Sequence, residues 1–491
     1  MTPPSILNID RETTIPQEVF SDLQVRTILP PIAVSVLSHP CSADMIKKRQ
    51  ELFLLLDDEA YLTSFRGFYD SIRALMRRDF LYRKASVPVA KTFALAELLH
   101  QYIAVCRSIA PLCGCELTDA LVGYWCDTEH ETALTMLESA LSDADEHLRR
   151  ISQFDVSFHI KSWVTPDRGE PSYIDSICEH AEGLGFNVDV KSAHVSIAEK
   201  GWELDSSLGD AVGKLFESEL SPAAELLNAH IPPELSALEK YYDEAMFYLE
   251  IHDFLVRARS KNIPICIPRI SSQRQYAARS AYDVTLLSKD IHRIVPNDID
   301  FHDKSSFYFL VGANGGGKTT YLRCIGVNLL LFLGGAPIFA DDAEIYPFRG
   351  IRTHFPADER MAETGRLDDE LRRVTEILDC AGDESFLLFN ETYSGTNDEY
   401  GSALAIKTAS EMTDRGLFGI FVTHFHELEN RSFDFLEVVV DEKNENERTY
   451  KIMPKKTNTG SHAADILKKY GLDSDSLERR SRNNATTSAR S

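Results

Sequence analysis

Directly after the apolar run Phe307–Val311 comes Gly312-Ala313-Asn314-Gly315-Gly316-Gly317-Lys318-Thr319-Thr320, which satisfies the spacing G-x-x-x-x-G-K-[ST] in full. Phosphate oxygens need several N–H donors at short range, and consecutive glycines let a backbone wrap around them with no side chain in the way. Lys318 adds a mobile positive charge for the outer phosphates and Thr319 a hydroxyl for Mg²⁺. The helical run opening near Thr320 turns its positive end toward the same anion. A strand before the loop and a helix after it make the pattern specific, so the expected ligands are ATP and Mg²⁺.

A second apolar strand, expected over residues 386–389, delivers Asn390 and Glu391 at its C-terminal edge, where ligands bind in open α/β sheets. An acid there can hold Mg²⁺ and another can orient an attacking water, which makes Glu391 the candidate catalytic carboxylate. Asn390 offers the metal's water shell an oxygen without a charge. A third strand, expected over 418–422, ends at Thr423-His424, so His424 is a candidate to sense or stabilise a γ-phosphate. Glu427, just beyond it on a helix start, reads as a surface acid.

The elements that must position these residues divide the chain by texture. From about residue 40 to 150 glycine is scarce, and Ile72, Leu75 and Met76, then Leu95, Leu98, Leu99, Tyr102 and Ile103, recur at helical spacing. Residues 154–160 and 186–190 instead alternate apolar and polar groups around the turn-rich stretch 165–171, indicating a small insertion with β-strands. A long packed helix is expected to open at Pro232-Pro233-Glu234, with Leu238, Tyr242, Ala245, Leu249, His252 and Val256 on its core face and His252 hydrogen-bonded within it. After Pro264 short apolar strands alternate with helices, the mark of an α/β domain with a largely parallel sheet. A hairpin of 436–440 and 449–453 follows, and the apolar-poor residues 476–491 read as a disordered tail.

A chain of 491 residues, 43% hydrophobic and 26% charged, has the balance of a globular multidomain protein. No apolar run is long enough to span a bilayer, no secretory signal opens the sequence, and nine scattered cysteines fit reduced thiols, so a cytoplasmic protein is expected. Cys106, Cys113, Cys115, Cys126 and His130 could be drawn as a metal site, but their spacing matches no standard zinc pattern. The net charge of -24 opposes broad affinity for a polyanion, so any DNA contact must be local. Lys47, Lys48 and Arg49, or Arg73, Arg77 and Arg78, could line a basic strip, although a solvated helix face is the simpler reading of each run.

The loop from Gly312 to Arg323 closely resembles the phosphate loop of the MutS family of DNA mismatch-repair ATPases, within the ABC ATPase superfamily. The resemblance continues through Gly365–Leu371 with Glu370, Leu387–Glu391, Ser394-Gly395-Thr396-Asn397 and Val422-Thr423-His424, with Val295–Ile299 like the segment that enters this domain. Leu37-Ser38-His39-Pro40 with Ile46–Glu51 looks like the start of the family's helical core. The implied organisation is a leader (1–36), a helical core (37–150), a reduced clamp-like insertion (151–205), lever helices (206–265), an ABC-type ATPase domain (266–475) and the tail. ABC-type domains work in pairs, so the resemblance implies a homodimer in which the segment at Gly365 meets the partner's nucleotide. It also implies an ATP-driven clamp that acts on DNA.

Three departures qualify it. Core-like sequence starts within 40 residues of Met1, so the mismatch-reading domain is expected to be absent and branched or distorted DNA is a better substrate than a mismatch. Asn390 stands where the family carries an aspartate, which points to weaker Mg²⁺ binding or turnover. Gly365 replaces a signature serine, leaving backbone N–H groups, Thr364 or Arg366 to meet the phosphate. The alternatives are an ABC-type switch that binds a protein partner and not DNA, which the acidity favours, and a nucleotide-binding protein with negligible hydrolysis.

Overall fold

The computed structural model describes residues 2–9, 12–152, 155–158, 193–196, 214, 216–289, 294–302, 307–356, 366–430, 433–440 and 448–455. The chain begins with two short helices, α1 (Gln17–Asp22) and α2 (Pro31–Leu37). A helical array follows: α3 (Ala43–Leu56), α4 (Glu59–Lys84), α5 (Pro88–Ile109), α6 (Glu116–Trp125) and α7 (Thr128–Ser152). Ser42 and Asp58 cap α3 and α4 by accepting the N–H groups of Met45 and Tyr61, which satisfies donors the helices leave open. Proline at the first turn of α5 needs no such cap for its own missing N–H.

Beyond α7, strands β1 (Asp155–Phe158) and β2 (Ala193–Ser196) pair antiparallel. The first falls inside the stretch whose alternation indicates a strand; the one expected at 186–190, like the turn at 165–171, lies outside the described residues. The chain returns through α8 (Glu217–Ala229), which packs along α7 and α5, to the long helix α9 (Lys240–Arg259).

That helix corrects the sequence reading in three respects. Pro232–Glu234 is a turn before a short 3-10 helix, Leu235–Leu238, and the α-helix opens only at Lys240. Val256 faces solvent, while Tyr241, Phe247, Tyr248, Ile251 and Phe254 are buried alongside the expected stripe, so α9 is enclosed on most of its circumference. His252 is buried as expected, but its Nδ1 has no hydrogen-bond partner, the nearest carboxylate oxygen being that of Asp253 at 3.6 Å.

Two sheets complete the chain. The larger has the order β12-β11-β6-β10-β9-β8, from β6 (Phe307–Val311), β8 (Gly350–His354), β9 (Ser385–Asn390), β10 (Phe418–Val422), β11 (Asp434–Val440) and β12 (Arg448–Pro454). All neighbours are parallel except the hairpin of β11 and β12. The central strands β6, β9 and β10 are nearly wholly buried because helices cover both faces: α10 (Lys318–Leu333) on one, α11 (Arg366–Cys380) and α12 (Asp398–Asp414) on the other. In β10, Gly419 has φ 155° and a Cβ there would lie 2.1 Å from the carbonyl oxygen of Leu387 on β9, so no other residue fits.

The smaller sheet, order β3-β7-β4-β5, joins β3 (Arg269–Ile270), β4 (Gln275–Ala281), β5 (Asn297–His302) and β7 (Asp342–Ile345). Sequence reading left it out. Its strands are short and polar, although β5 alternates buried and exposed residues along its whole length.

One apolar core runs from Ile6 to Ile452 and joins the helical array to the face of the large sheet covered by α10. The first residues of the chain are threaded into it. Glu244 on α9 accepts the Ser5 hydroxyl (2.7 Å) and the Ile6 N–H (2.8 Å), and the Tyr248 hydroxyl donates to the Ile6 carbonyl (2.7 Å). Arg49, fully buried, donates to the carbonyl oxygens of Leu7 and, at 2.9 Å, Gly334. Arg49 is therefore no part of a solvated basic face. Lys48 is tied to Asp44 and Glu116 (2.7 Å each), Arg73 to Asp70 and Arg78 to Glu97. Among the described residues no helix is long and apolar enough to cross a membrane.

Candidate functional site

Register brings the expected residues to one edge. Val422 pairs with Leu310 on one side and with Asn390 on the other, so β6, β10 and β9 end level and their following residues converge. From β6 the loop turns through Gly312 (φ 133°), Gly315 (φ 72°) and Gly317 (φ 98°), backbone conformations that favour glycine. At Gly312 a Cβ would also come 2.9 Å from that of Val438 on β11. Gly317 then caps α10, whose first residue is Lys318.

Lys318 is almost completely buried and its ammonium group is held by the loop itself, donating to Gly312 O (2.8 Å), Ala313 O (3.3 Å) and the Asn314 side-chain oxygen (3.2 Å). Glu391 Oε1 lies 3.6 Å from it. Burial pulls the Lys318 pKa below its ordinary value, and Glu391 acts in the opposite sense. Thr319 Oγ1 donates to Asn390 Oδ1 at 3.1 Å, so the hydroxyl and the amide oxygen share one spot beside the Lys318–Glu391 pair. His424 follows β10 at the same edge, partly exposed, its ring 4.3 Å from that of Phe425. Glu427, exposed in the 3-10 helix His426–Asn430, accepts the Ser402 hydroxyl (3.0 Å). Gly365 and Thr364 lie outside the described residues.

Beside the loop opens a cavity of about 420 Å³, lined by Gly317, Thr320 and Tyr321 on one side and by Val295, Asn297 and Tyr450 on the other. Asn297 builds that second wall: its side chain donates to Tyr450 O (3.0 Å) and accepts the Ile452 N–H (2.8 Å), fastening β5 to β12. Spacing around the loop gave no hint of Tyr450, which comes from a hairpin more than a hundred residues later. Volume and position suit the nucleoside end of a nucleotide whose phosphates enter the loop.

Behind Asn390 and Glu391 the chain makes a tight turn that motif spacing does not reveal. Thr392 shares a hydrogen bond with His354 Nδ1 on β8 (2.9 Å), and the His354 ring stacks on Phe389. Burial, helped by the Arg373 guanidinium, pushes the His354 pKa down to about 3, so this imidazole is neutral at pH 7. Arg373 is itself bound to Asp22 (2.8 Å).

The cysteine cluster does not form a site. Cys113 Sγ donates to Asp119 (2.8 Å), and His130 is taken by Asp127 and Glu234 (2.9 Å each). No group of His, Cys, Asp and Glu able to hold a metal ion occurs among the described residues. Burial opposes a charge on His130, but the Glu234 and Asp127 carboxylates outweigh it and hold the imidazole above its ordinary pKa.

Residues 308–479 match the family model for MutS domain V, a span that includes the loop, Asn390, Glu391 and His424. The chain is similar to Endonuclease MutS2 of Bacillus cereus (29% identical over 237 residues) and of Bacillus mycoides (30% over 238), each match covering 46% of this chain and 29% of the relative. A Geobacillus protein of the same name is 30% identical over 203 residues, 40% of this chain and 25% of its own. The chain thus spans less than a third of the relatives it matches, and what they share with it is the C-terminal half that carries the phosphate-loop geometry: that half belongs to the MutS family, as its domain V.

Proposed function

We propose that the chain binds Mg-ATP at Gly312–Thr319 and hydrolyses it to ADP and phosphate. The observation that carries this reading is the meeting of Lys318 and Thr319 with Asn390 and Glu391 from two segments distant in sequence, with contacts of 3.1 and 3.6 Å. The donor set fits the ligand. The loop's N–H groups and the Lys318 ammonium, now turned onto the loop's own carbonyls, suit phosphate oxygens, and the adjoining cavity suits the adenosine. Thr319 and Asn390 would hold Mg²⁺ with two neutral oxygens, and the bound ion would neutralise charge on the phosphates. Glu391 accepts a proton from, and orients, the water that attacks the γ-phosphate, and His424 faces the same group from the end of β10.

In the proposed assembly two copies form a homodimer through their ATPase domains, the segment at Gly365 of each reaching the other's nucleotide, along the division into leader, core, insertion, levers and ATPase set out above. The work done is that of an ATP-driven clamp on DNA, with branched or distorted duplexes preferred. The relatives are named endonucleases, and no nuclease activity is carried over to this chain. A second reading, a switch that engages a protein partner, is favoured by the net charge of -24 and by the pairing of Lys48, Arg73 and Arg78 with acids. ATP turnover measured alone and with duplex, branched and single-stranded DNA separates them. Stimulation together with salt-sensitive binding supports the clamp; turnover indifferent to every DNA supports the switch; no Mg-dependent turnover refutes both.

A further inference from the structure

Glu391 and Tyr393 both lie in the left-handed region, with φ of 46° and 68°. Residues other than glycine enter it rarely, and two in one three-residue turn need surroundings that hold them there. The Glu391 N–H donates to Val422 O (2.9 Å), which fixes the entry to the turn, and Thr392 is tied to His354. The exit is fixed by a side chain from another element: the Tyr393 N–H donates to Glu370 Oε2 at 3.1 Å.

Glu370 is an anomaly on its helix. Helix α11 buries Val374, Ile377 and Leu378 against the large sheet, and Glu370, one turn before Val374, occupies the same apolar stripe with only 7% of its surface exposed. A carboxylate at such a place costs stability unless donors meet it. Packing alone would be served better by leucine. The helix starts at Arg366, one residue after Gly365, so Glu370 stands one turn from the segment expected to meet the second subunit's nucleotide.

We propose that Glu370 is a positioning residue: by accepting the Tyr393 N–H it holds the Glu391–Tyr393 turn in the left-handed conformation from which the Glu391 carboxylate faces Lys318, and so ties the placement of that carboxylate to α11. This rests on the reading of Glu391 as the hydrolytic carboxylate.

Glu370→Ala removes the acceptor, whereas Glu370→Gln keeps an oxygen at its place and removes only the charge. Two readouts on the full chain test the idea. Hydrogen exchange at the Tyr393 amide is to be slow in the wild type and Glu370→Gln and fast in Glu370→Ala, with exchange in β9 and β10 unchanged. For ATP turnover, Glu370→Ala is to lose about 100-fold in kcat, the scale of a misplacement near 1 Å, with KM and binding of a fluorescent ATP analogue held, and Glu370→Gln is to recover most of it. Equal protection of Tyr393 in all three proteins overturns the proposal, as does a Glu370→Gln variant as slow as Glu370→Ala, or a loss of nucleotide binding parallel to the loss of kcat. If Glu391→Gln turns over ATP like the wild type, the hydrolytic reading of Glu391 fails. The exchange at Tyr393 then still decides whether Glu370 holds the turn.

Discussion

Replacing Asn390 by Asp puts a unit negative charge where the structure has an amide oxygen 3.1 Å from the Thr319 hydroxyl. The magnitude follows from three opposed interactions. A carboxylate about 4 Å from a divalent ion gains about 8 kcal/mol at an effective dielectric constant near 20. The neighbouring Glu391 carboxylate returns about half of that as repulsion at a similar distance. Asn390 is only 7% exposed, so a new charge there also loses several kcal/mol of hydration. Both penalties are present with and without the ion and act on Mg²⁺ binding only by favouring the protonated carboxyl, so part of the attraction survives. A gain of about 1.4 kcal/mol or more, about tenfold in the Mg²⁺ concentration giving half-maximal turnover, is expected. The assay is steady-state ATP hydrolysis against free Mg²⁺ at fixed ionic strength, with Asn390→Ser as a neutral control. If Asn390→Asp leaves the half-saturating Mg²⁺ concentration and kcat where they are in the wild type, the missing charge does not limit the site. If Mg²⁺ binds more weakly to it, the carboxylate displaces the geometry that Asn390 and Thr319 share, and the electrostatic reasoning fails.

Glu391→Gln is expected to lower kcat by about 100-fold or more while an ATP analogue binds within about threefold of the wild type, because the amide keeps the shape and loses the basicity; equal single-turnover rates would remove Glu391 from the chemistry. Arg49→Met leaves the Leu7 and Gly334 carbonyls buried without their donor and should cost about 3 kcal/mol in urea unfolding. A change under about 0.5 kcal/mol would show that water or backbone movement replaces the guanidinium. At the base of α7, His130 has its pKa raised in the folded state, so the stability it adds is complete below the unfolded value of about 6.5 and is lost as pH rises through the folded value. Thermal unfolding midpoints of the wild type should therefore fall relative to those of His130→Gln over that window. Parallel pH profiles would exclude the linkage.

The phosphate loop could be read from sequence because its chemistry is local: glycine conformations, one lysine and one hydroxyl lie within eight consecutive residues. The strands carrying it were equally plain, since β6 and β10 are unbroken apolar runs buried on both faces. What escaped was built from distant pieces. Asn297, Tyr450, His354 and Glu370 acquire meaning only once β5 meets β12, or α11 meets the turn after β9, and nothing in their own neighbourhoods encodes that meeting. Asn297 and Glu370 fall within stretches that carry the family resemblance, which marks them without giving either a role; their local traces are the alternation along β5 and an acid on an apolar helical stripe. The basic run at Lys47–Arg49 misled for the same reason. Charge spacing does not tell that Arg49 turns inward onto carbonyls from residues 7 and 334.

Those two carbonyls constrain how an ATP-driven mechanism can work. Gly334 follows directly on α10, the helix that opens at the phosphate loop, and Leu7 belongs to the segment clasped by Glu244 and Tyr248 of α9. A second bond, Cys41 N–H to Leu333 O at 2.8 Å, joins the start of the helical array to the same helix end. Shearing α9 against α10 would strip several buried donors and acceptors of their partners at once, each a loss of about 1–3 kcal/mol. The nucleotide loop, α10 and the body of α9 must then move together. Under the proposed clamp mechanism, displacement delivered to the insertion has to arise from rotation of this whole unit against a second copy or from bending beyond it, where α7 and α8 run out to β1 and β2. At the root of that pair stand His130 and Glu234, joined across the turn between the two helices and α9, which makes their hydrogen bond the first point along the path at which such bending would be resisted.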